Sequence, residues 1–447
     1  MIVHSTRLVA AVAAASLLTL VGCGGASVNP GTTTTPPITT TPTVAQGHVF
    51  SGSLAVSGAT VKLYTASATG YGTASTSLLQ TAVTTASDGG FTLYGDFTCP
   101  TNALVYVTAT GGNPGITGSQ TNSALAMMAG LGTCSSITSS TTIQVNELTT
   151  VASVWALQAF MKSASAVGTS STNVQGLTNA FAAINKIVSV SAGTLPGAAL
   201  PTGASLPTTN INTLANILAS CVNSVNQTSG ALSANCGTLF TDTTVGGVAP
   251  TDTIQAAVNM AQQPSLNLAA LNALAVAAGS PYTPSLGASA PSSWQIAINY
   301  TGGGLSSPSA IATDASGNVW IANTSSSSVT ELSNNGAALS GTTGFTAGGI
   351  SGPTAITLDT SNTAWVANGG NNTLTHLSAT GATGTSITGG GLSKPSSIAI
   401  DPNGDVWVSN AGNASLSEFT AAGVALSGAS GFTGGGLNQP GAIAIQQ

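Results

Sequence analysis

Charge is what this chain lacks most: only 4% of its 447 residues are Asp, Glu, Lys or Arg. The five cations, Arg7, Lys62, Lys162, Lys186 and Lys394, are scattered along the sequence. A phosphate backbone is bound by clustered Lys and Arg, so nucleic acid is excluded as a partner. Histidine is nearly as rare, with only His4, His48 and His376. Acid–base chemistry needs a partner placed to act with the histidine, and neither His48 nor His376 has one at a fixed spacing. No G-x-S-x-G, H-E-x-x-H or P-loop pattern occurs. The sequence therefore leads us to expect no catalytic residues, no metal ligands and no cofactor. Long apolar runs are missing too: beyond residue 20 none reaches the roughly 18 residues a membrane-spanning helix requires.

What is present begins with a leader. One positive charge precedes an apolar run over residues 8–20, too short to span a bilayer comfortably. The run ends in Leu20, Val21, Gly22 and Cys23, which resembles the lipobox of bacterial lipoproteins. The resemblance implies a signal peptide over residues 1–22, cleavage before Cys23, and lipidation of that cysteine as a membrane anchor. Several acyl chains on one residue anchor stably where a single chain binds only marginally. Gly24 and Gly25 stand where an aspartate would favour inner-membrane retention in enterobacterial sorting, so that resemblance implies the cell envelope, at the outer membrane or cell surface. The mature chain would keep four lysines against eleven acids, a net charge near −7.

Four other cysteines remain, Cys99, Cys134, Cys221 and Cys236. In an oxidising compartment an even set reads as disulfides. Three pairings are open; nearest-neighbour pairing, Cys99 with Cys134 and Cys221 with Cys236, keeps each bridge inside one expected domain. The shorter loop would stabilise the fold by about 3 kcal/mol in the chain-entropy account. No C-x-x-C spacing suggests a metal.

Composition then divides the chain. Residues 23–46 are rich in Thr and Pro and read as an extended stalk. Residues 47–144 open with short alternating runs: Gly47, His48, Val49, Phe50; then Gly58, Ala59, Thr60, Val61, Lys62, Leu63; then Asp88, Gly89, Gly90, Phe91 at a tight turn. Their order resembles the transthyretin-like regulatory domain of carboxypeptidases and the B-type repeats of bacterial adhesins. That resemblance implies a small non-catalytic β-sandwich. Residues 145–290 change to helical period. The stripes are Leu148, Val151, Ala152, Trp155; Leu177, Phe181, Ile184, Val188; Ile211, Leu214, Leu218, Cys221, Val222, Val225, with Asn210 as cap; Ile254, Ala257, Val258, Ala261; and Leu268, Leu271, Leu274. About five helices are predicted.

Residues 291–447 repeat. Pro308, Asp314, Trp320 and Asn323 recur as Pro353, Asp359, Trp365 and Asn368, then as Pro395, Asp401, Trp407 and Asn410. A unit of this length holding about four short strands is a propeller blade. The pattern resembles the NHL repeat and the streptogramin-lyase-like propellers. The family implies loops that bind protein, nucleic acid or small molecules, and the lyases add magnesium and histidine-containing acid–base sets. The aspartates read as turn residues and the tryptophans chiefly as packing between blades, with ligand stacking the lesser reading. Asn323, Asn368 and Asn410, with Trp320, Trp365 and Trp407 beside them, mark the expected binding end. Residues 294–300 are predicted as a final strand and residues 440–447 as a first one, so about three blades form an open arc whose edges invite self-association.

The predicted whole is multidomain: a β-sandwich, an all-α helical domain, and a partial β-propeller of about three NHL-like blades. The expected role is a non-catalytic envelope lipoprotein, a binding or scaffold module for a protein, peptide or glycan. The alternative is a streptogramin-lyase-like or other carbohydrate- or peptide-processing enzyme on the propeller.

Overall fold

The computed structural model describes residues 43–95, 97–116, 121–224, 232–276 and 280–445. The signal peptide, Cys23 and nearly all of the Thr/Pro stalk lie outside them. The described chain is mostly β, in several small sheets, with six helices.

The first strand, β1 (Thr43–Ser51), starts inside what the composition assigns to the stalk. It lies between antiparallel β6 (Gly90–Tyr94) and parallel β9 (Thr142–Val145), with β2 (Leu54–Ala55) at its end. The second sheet centres on β3 (Thr60–Thr65), flanked by short β4 (Thr76–Ser77) and β5 (Val83–Thr84), then β7 (Leu104–Thr110) and β8 (Ala126–Thr133). Val49, Leu93 and Ile143 of one sheet pack on Leu63, Val107 and Met127 of the other. Alternation along β1, β3 and β6 buries one side of each, as a half-exposed sheet requires.

β7 breaks that alternation. Leu104, Val105, Tyr106 and Val107 are all buried, because the far face of this sheet carries the helices α1 (Glu147–Leu157), α2 (Val174–Ile187), α3 (Thr208–Val222), α4 (Ala234–Asp242), α5 (Thr253–Gln262) and α6 (Leu268–Ala275). Leu104, Tyr106 and Met128 share one core with Trp155, Phe181 and Leu214. The expected boundary at residues 144/145 thus falls inside β9, and the change from strand to helix at Asn146 takes place within a shared core. A buried sheet edge must have its N–H groups satisfied. Here hydroxyls of the helices do it: Met128 N donates to Thr150 Oγ1 at 3.0 Å, Gly130 N to Ser153 Oγ at 2.9 Å, and Ala126 N to Thr253 Oγ1 at 3.0 Å.

Two local expectations are corrected. Asn210 does not cap α3, which already starts at Thr208 after Pro207. Residues 294–300 do not form a propeller strand. Trp294 is fully buried among the helices, its carbonyl accepting from Trp155 Nε1 at 2.6 Å and its own Nε1 donating to Leu266 O at 3.0 Å. The residues Asn299–Tyr300 pair with Ala204–Ser205 instead. Both disulfides are present, Cys99–Cys134 and Cys221–Cys236, with Cα–Cα separations of 5.6 and 4.4 Å.

Three small antiparallel sheets follow in propeller-like succession, numbered here in chain order from β10 (Met161–Ser163), β11 (Ala166–Val167), β12 (Ala204–Ser205) and β13 (Asn299–Tyr300). Blade 1 is β14 (Pro308–Thr313), β15 (Val319–Asn323) and β16 (Ser328–Leu332). Blade 2 is β17 (Pro353–Leu358), β18 (Ala364–Asn368), β19 (Thr373–Leu377) and β20 (Gly384–Ile387). Blade 3 is β21 (Pro395–Ile400), β22 (Val406–Asn410) and β23 (Ser415–Phe419). In blades 1 and 3 the fourth strand shrinks to two isolated bridges, Val329 with Phe345 and Leu332 with Ala338 in the first, Leu416 with Phe432 and Phe419 with Ala425 in the third.

The blades dock by one repeated contact. Tyr300 lies over Gly336, Phe345 over Gly381 and Ile387 over Gly423; at Gly381, with φ +63°, an added Cβ would come within 2.1 Å of the Phe345 ring. Only glycine fits that socket. A second contact ties neighbouring inner strands: Ser309 Oγ donates to Pro353 O at 2.8 Å, Thr354 Oγ1 to Pro395 O at 2.7 Å, and Ser396 Oγ to Pro440 O at 2.6 Å.

Candidate functional site

Each blade has two ends, and the repeated polar residues divide between them. At the end of the inner strand the aspartate holds the turn. Asp314 Oδ1 accepts from Ser316 N at 2.9 Å and Asn318 N at 2.8 Å. Asp359 does the same with Ser361 and Thr363, and Asp401 with Asn403 and Asp405, all at 2.9 Å. The segment of residues 401–405 is therefore a hydrogen-bonded Asx turn of the kind found in its sister units.

A second layer lies on this turn. In blade 1, Asn318 Nδ2 donates to Asp314 Oδ2 at 2.9 Å and to Glu331 Oε1 at 3.2 Å. Blade 2 builds the same chain from Asp359, Thr363 and His376, with Thr363 Oγ1 2.7 Å from His376 Nε2. A carboxylate only accepts, so the Thr363 hydroxyl donates to Asp359 and takes its second bond from the histidine N–H. That places the proton on Nε2. Burial lowers the His376 pKa and the Asp359 charge only partly opposes it, so the ring is neutral near pH 7. It stacks on Trp365 with centroids 4.1 Å apart. Burial pushes Asp359 up, but bonds from Thr363, Ser361 and Trp365 more than offset this and hold it below the usual carboxylate range. Blade 3 carries Asp401, Asp405 and Glu418 here, and Glu418 is pushed up by burial and by the two aspartates. Among the described residues no group of three or more His, Cys, Asp or Glu is placed to hold a metal.

The opposite end corrects the sequence reading. Asn323, Asn368 and Asn410, expected at an exposed binding end, are each fully buried. The Asn323 amide donates to Thr330 Oγ1 at 2.9 Å and to Ser328 Oγ at 3.3 Å, and its oxygen accepts from Ser306 N at 3.1 Å. Asn368 and Asn410 repeat this with Thr373, Thr375 and Ser351, and with Ser415, Ser417 and Ser393. A buried amide is retained where all its bonds are made, and here it pins the glycine-rich loop to the second and third strands. Trp320 and Trp365 are buried as well, while Trp407 is half-buried. Trp320 and Trp365 pack between blades, and Trp407 lies against Phe432 of its own blade. The exposed residues of this end include Thr324, Ser325, Ser326, Asn371, Asn372, Asn413 and Lys394.

A site the sequence does not distinguish lies on the face of blade 1 that precedes it in the arc. Ile311 is 68% exposed, while its equivalents Ile356 and Ile398 are 7% and 8% exposed. Those two are covered by the preceding blade, Ile356 packing with Trp320, Ala322 and Val329. Around Ile311 is a groove of about 640 Å³ lined by Ile298, Tyr300, Leu305, Val319 and Leu332. No sequence signal separates Ile311 from its sisters, because the difference lies in what stands opposite.

No family model and no curated protein matches the chain. Solved structures do. A streptogramin B lyase is 20% identical over 27% of this chain and 40% of its own, with a TM-score of 0.25. An inactive virginiamycin B lyase from Staphylococcus aureus with quinupristin is 19% identical over 33% and 48%, with a TM-score of 0.29. A nidogen/laminin complex is 15% identical over 26% and 45%, with a TM-score of 0.22. This chain spans less than half the length of each of these propeller-like neighbours.

Proposed function

We propose that the chain is a cell-envelope lipoprotein that binds rather than catalyses, with the uncovered face of blade 1 as its binding surface and a second copy of the chain as its occupant. The carrying observation is the 68% exposure of Ile311 against 7% and 8% at the same position in its sister blades. An apolar face of this kind marks an interaction site. The internal junctions supply the chemistry of what fits it: a flat blade face carrying Trp and aliphatic side chains, as Trp320 and Val329 offer Ile356. A second copy brings such faces with it. The two disulfides suit an extracellular or envelope setting, and no described helix is long and apolar enough to cross a membrane. A lipid on Cys23 would then supply the attachment.

Light scattering on the purified chain tests the surface. A concentration-dependent dimer is expected, abolished by Ile311→Lys and unaffected by Val248→Lys, a change at a 72% exposed position outside the propeller. A monomer at every concentration, or a dimer indifferent to Ile311→Lys, contradicts the assignment. One observation favours the rival enzyme reading: His376 lies 3.9 Å from Asp359. Against it, the pair occupies a position where blade 1 makes the same chain from Asn318 and Glu331.

A further inference from the structure

Glu147 is the first residue of α1 and is wholly buried. Its carboxyl joins three segments far apart in sequence. Ser51 Oγ donates to Oε1, and Tyr282 OH and Gly52 N donate to Oε2 at 2.5 and 3.2 Å. Ser51 ends β1 and Gly52 opens the turn after it, and Tyr282 belongs to the strap of residues 280–294 that runs from the helices toward the propeller. The strap is also held by neutral groups. Asn216 pairs with the Tyr282 backbone at 2.8 and 3.0 Å, Asn212 Nδ2 donates to Pro284 O at 2.8 Å, and Thr213 Oγ1 accepts from Leu286 N at 2.9 Å. Pro281 sits so close to Gly52 that an added Cβ would come within 2.5 Å of the proline ring.

The side chains and backbone bonded to this carboxyl are neutral, Ser51, Gly52 and Tyr282; the N-terminus of α1, where Glu147 sits, favours its charged form but only in part. No lysine, arginine or histidine is among its hydrogen-bond partners. A buried carboxylate without a countercharge is far more costly than the buried acid, whose O–H donates to Ser51 Oγ while its other oxygen still accepts from Tyr282 and Gly52. We propose that Ser51, Glu147 and Tyr282 form a proton-operated latch that fastens the 280–294 strap to the sandwich and to α1 when Glu147 is protonated, and loosens it when that proton is lost to solvent.

The direction of the effect follows from burial, which pushes the Glu147 carboxyl up against the opposing bonds from Ser51 and Tyr282. A folded-state pKa above the unfolded value, about 4.3, means that the latch contributes fully below that value and is lost as pH rises through the raised one. The strap is therefore tightest in acid.

Hydrogen exchange on the full chain reads this at the Gly52 and Tyr282 amides. From an acid to an alkaline pH on either side of the Glu147 titration, their protection factors, corrected for the intrinsic rate, should fall at least tenfold relative to amides in the propeller. In Glu147→Gln the protection should not change with pH. Tyr282→Phe, which keeps the carboxyl but removes one donor to its anion, should move the fall to higher pH. Equal protection at both pH values, the same fall in Glu147→Gln, or an unmoved midpoint in Tyr282→Phe would each overturn the latch.

Discussion

Replacing Trp365 with alanine should destabilise the propeller by about 3–5 kcal/mol, the range for removing a large buried aromatic side chain. Trp365 is 1% exposed. It shares a core with Leu374, Ile387, Ile398 and Val406, residues of two different blades, and it carries the His376 ring. Its loss leaves a cavity at a junction that no flexible side chain can refill. Trp407 occupies the same place in blade 3 and is only half-buried, so Trp407→Ala should lose roughly half as much. Urea unfolding checks both: the midpoint should fall with unchanged slope, and further for Trp365 than for Trp407. Equal losses would show that blade-to-blade packing does not set the value of the tryptophan.

The second large effect concerns Cys23. Under the lipoprotein reading, Cys23→Ser removes the thiol that takes the lipid, and the protein should move completely from the membrane to the soluble fraction. No later apolar run in the sequence approaches membrane-spanning length. The wild type should show a mass increase of several acyl chains on the amino-terminal cysteine. Wild-type protein that is free of membranes and carries an unmodified Cys23 would sink the anchor.

The sequence made the repeat visible because its spacing keeps Pro, Asp, Trp and Asn in register through three units. The aspartates could be placed from local chemistry alone, since an Asx turn is made within five residues. The asparagines could not, because an end-of-strand amide looks the same whether it faces solvent or the interior. The signal was there in the next strand: a hydroxyl stands five and seven residues after each one, Ser328 and Thr330, Thr373 and Thr375, Ser415 and Ser417. The join between sandwich and helices was similarly written in β7, whose Leu104, Val105, Tyr106 and Val107 run without alternation and so require cover on both faces. α4 escaped because Gly237 and Thr238 interrupt its short stripe. Ile311 and Glu147 were out of reach, since each owes its character to residues distant in sequence.

The claim that the propeller binds and does not catalyse meets its most direct test in the chemistry its resemblance suggests. The His376 ring is held by Thr363 at Nε2 and stacked on Trp365, and a general base must reach the proton it removes. Purified protein incubated with a type B streptogramin and magnesium should leave the ring intact, with His376→Ala indistinguishable from wild type. Ring opening that is abolished both by His376→Ala and by a chelator would contradict this account and assign the propeller to an enzyme.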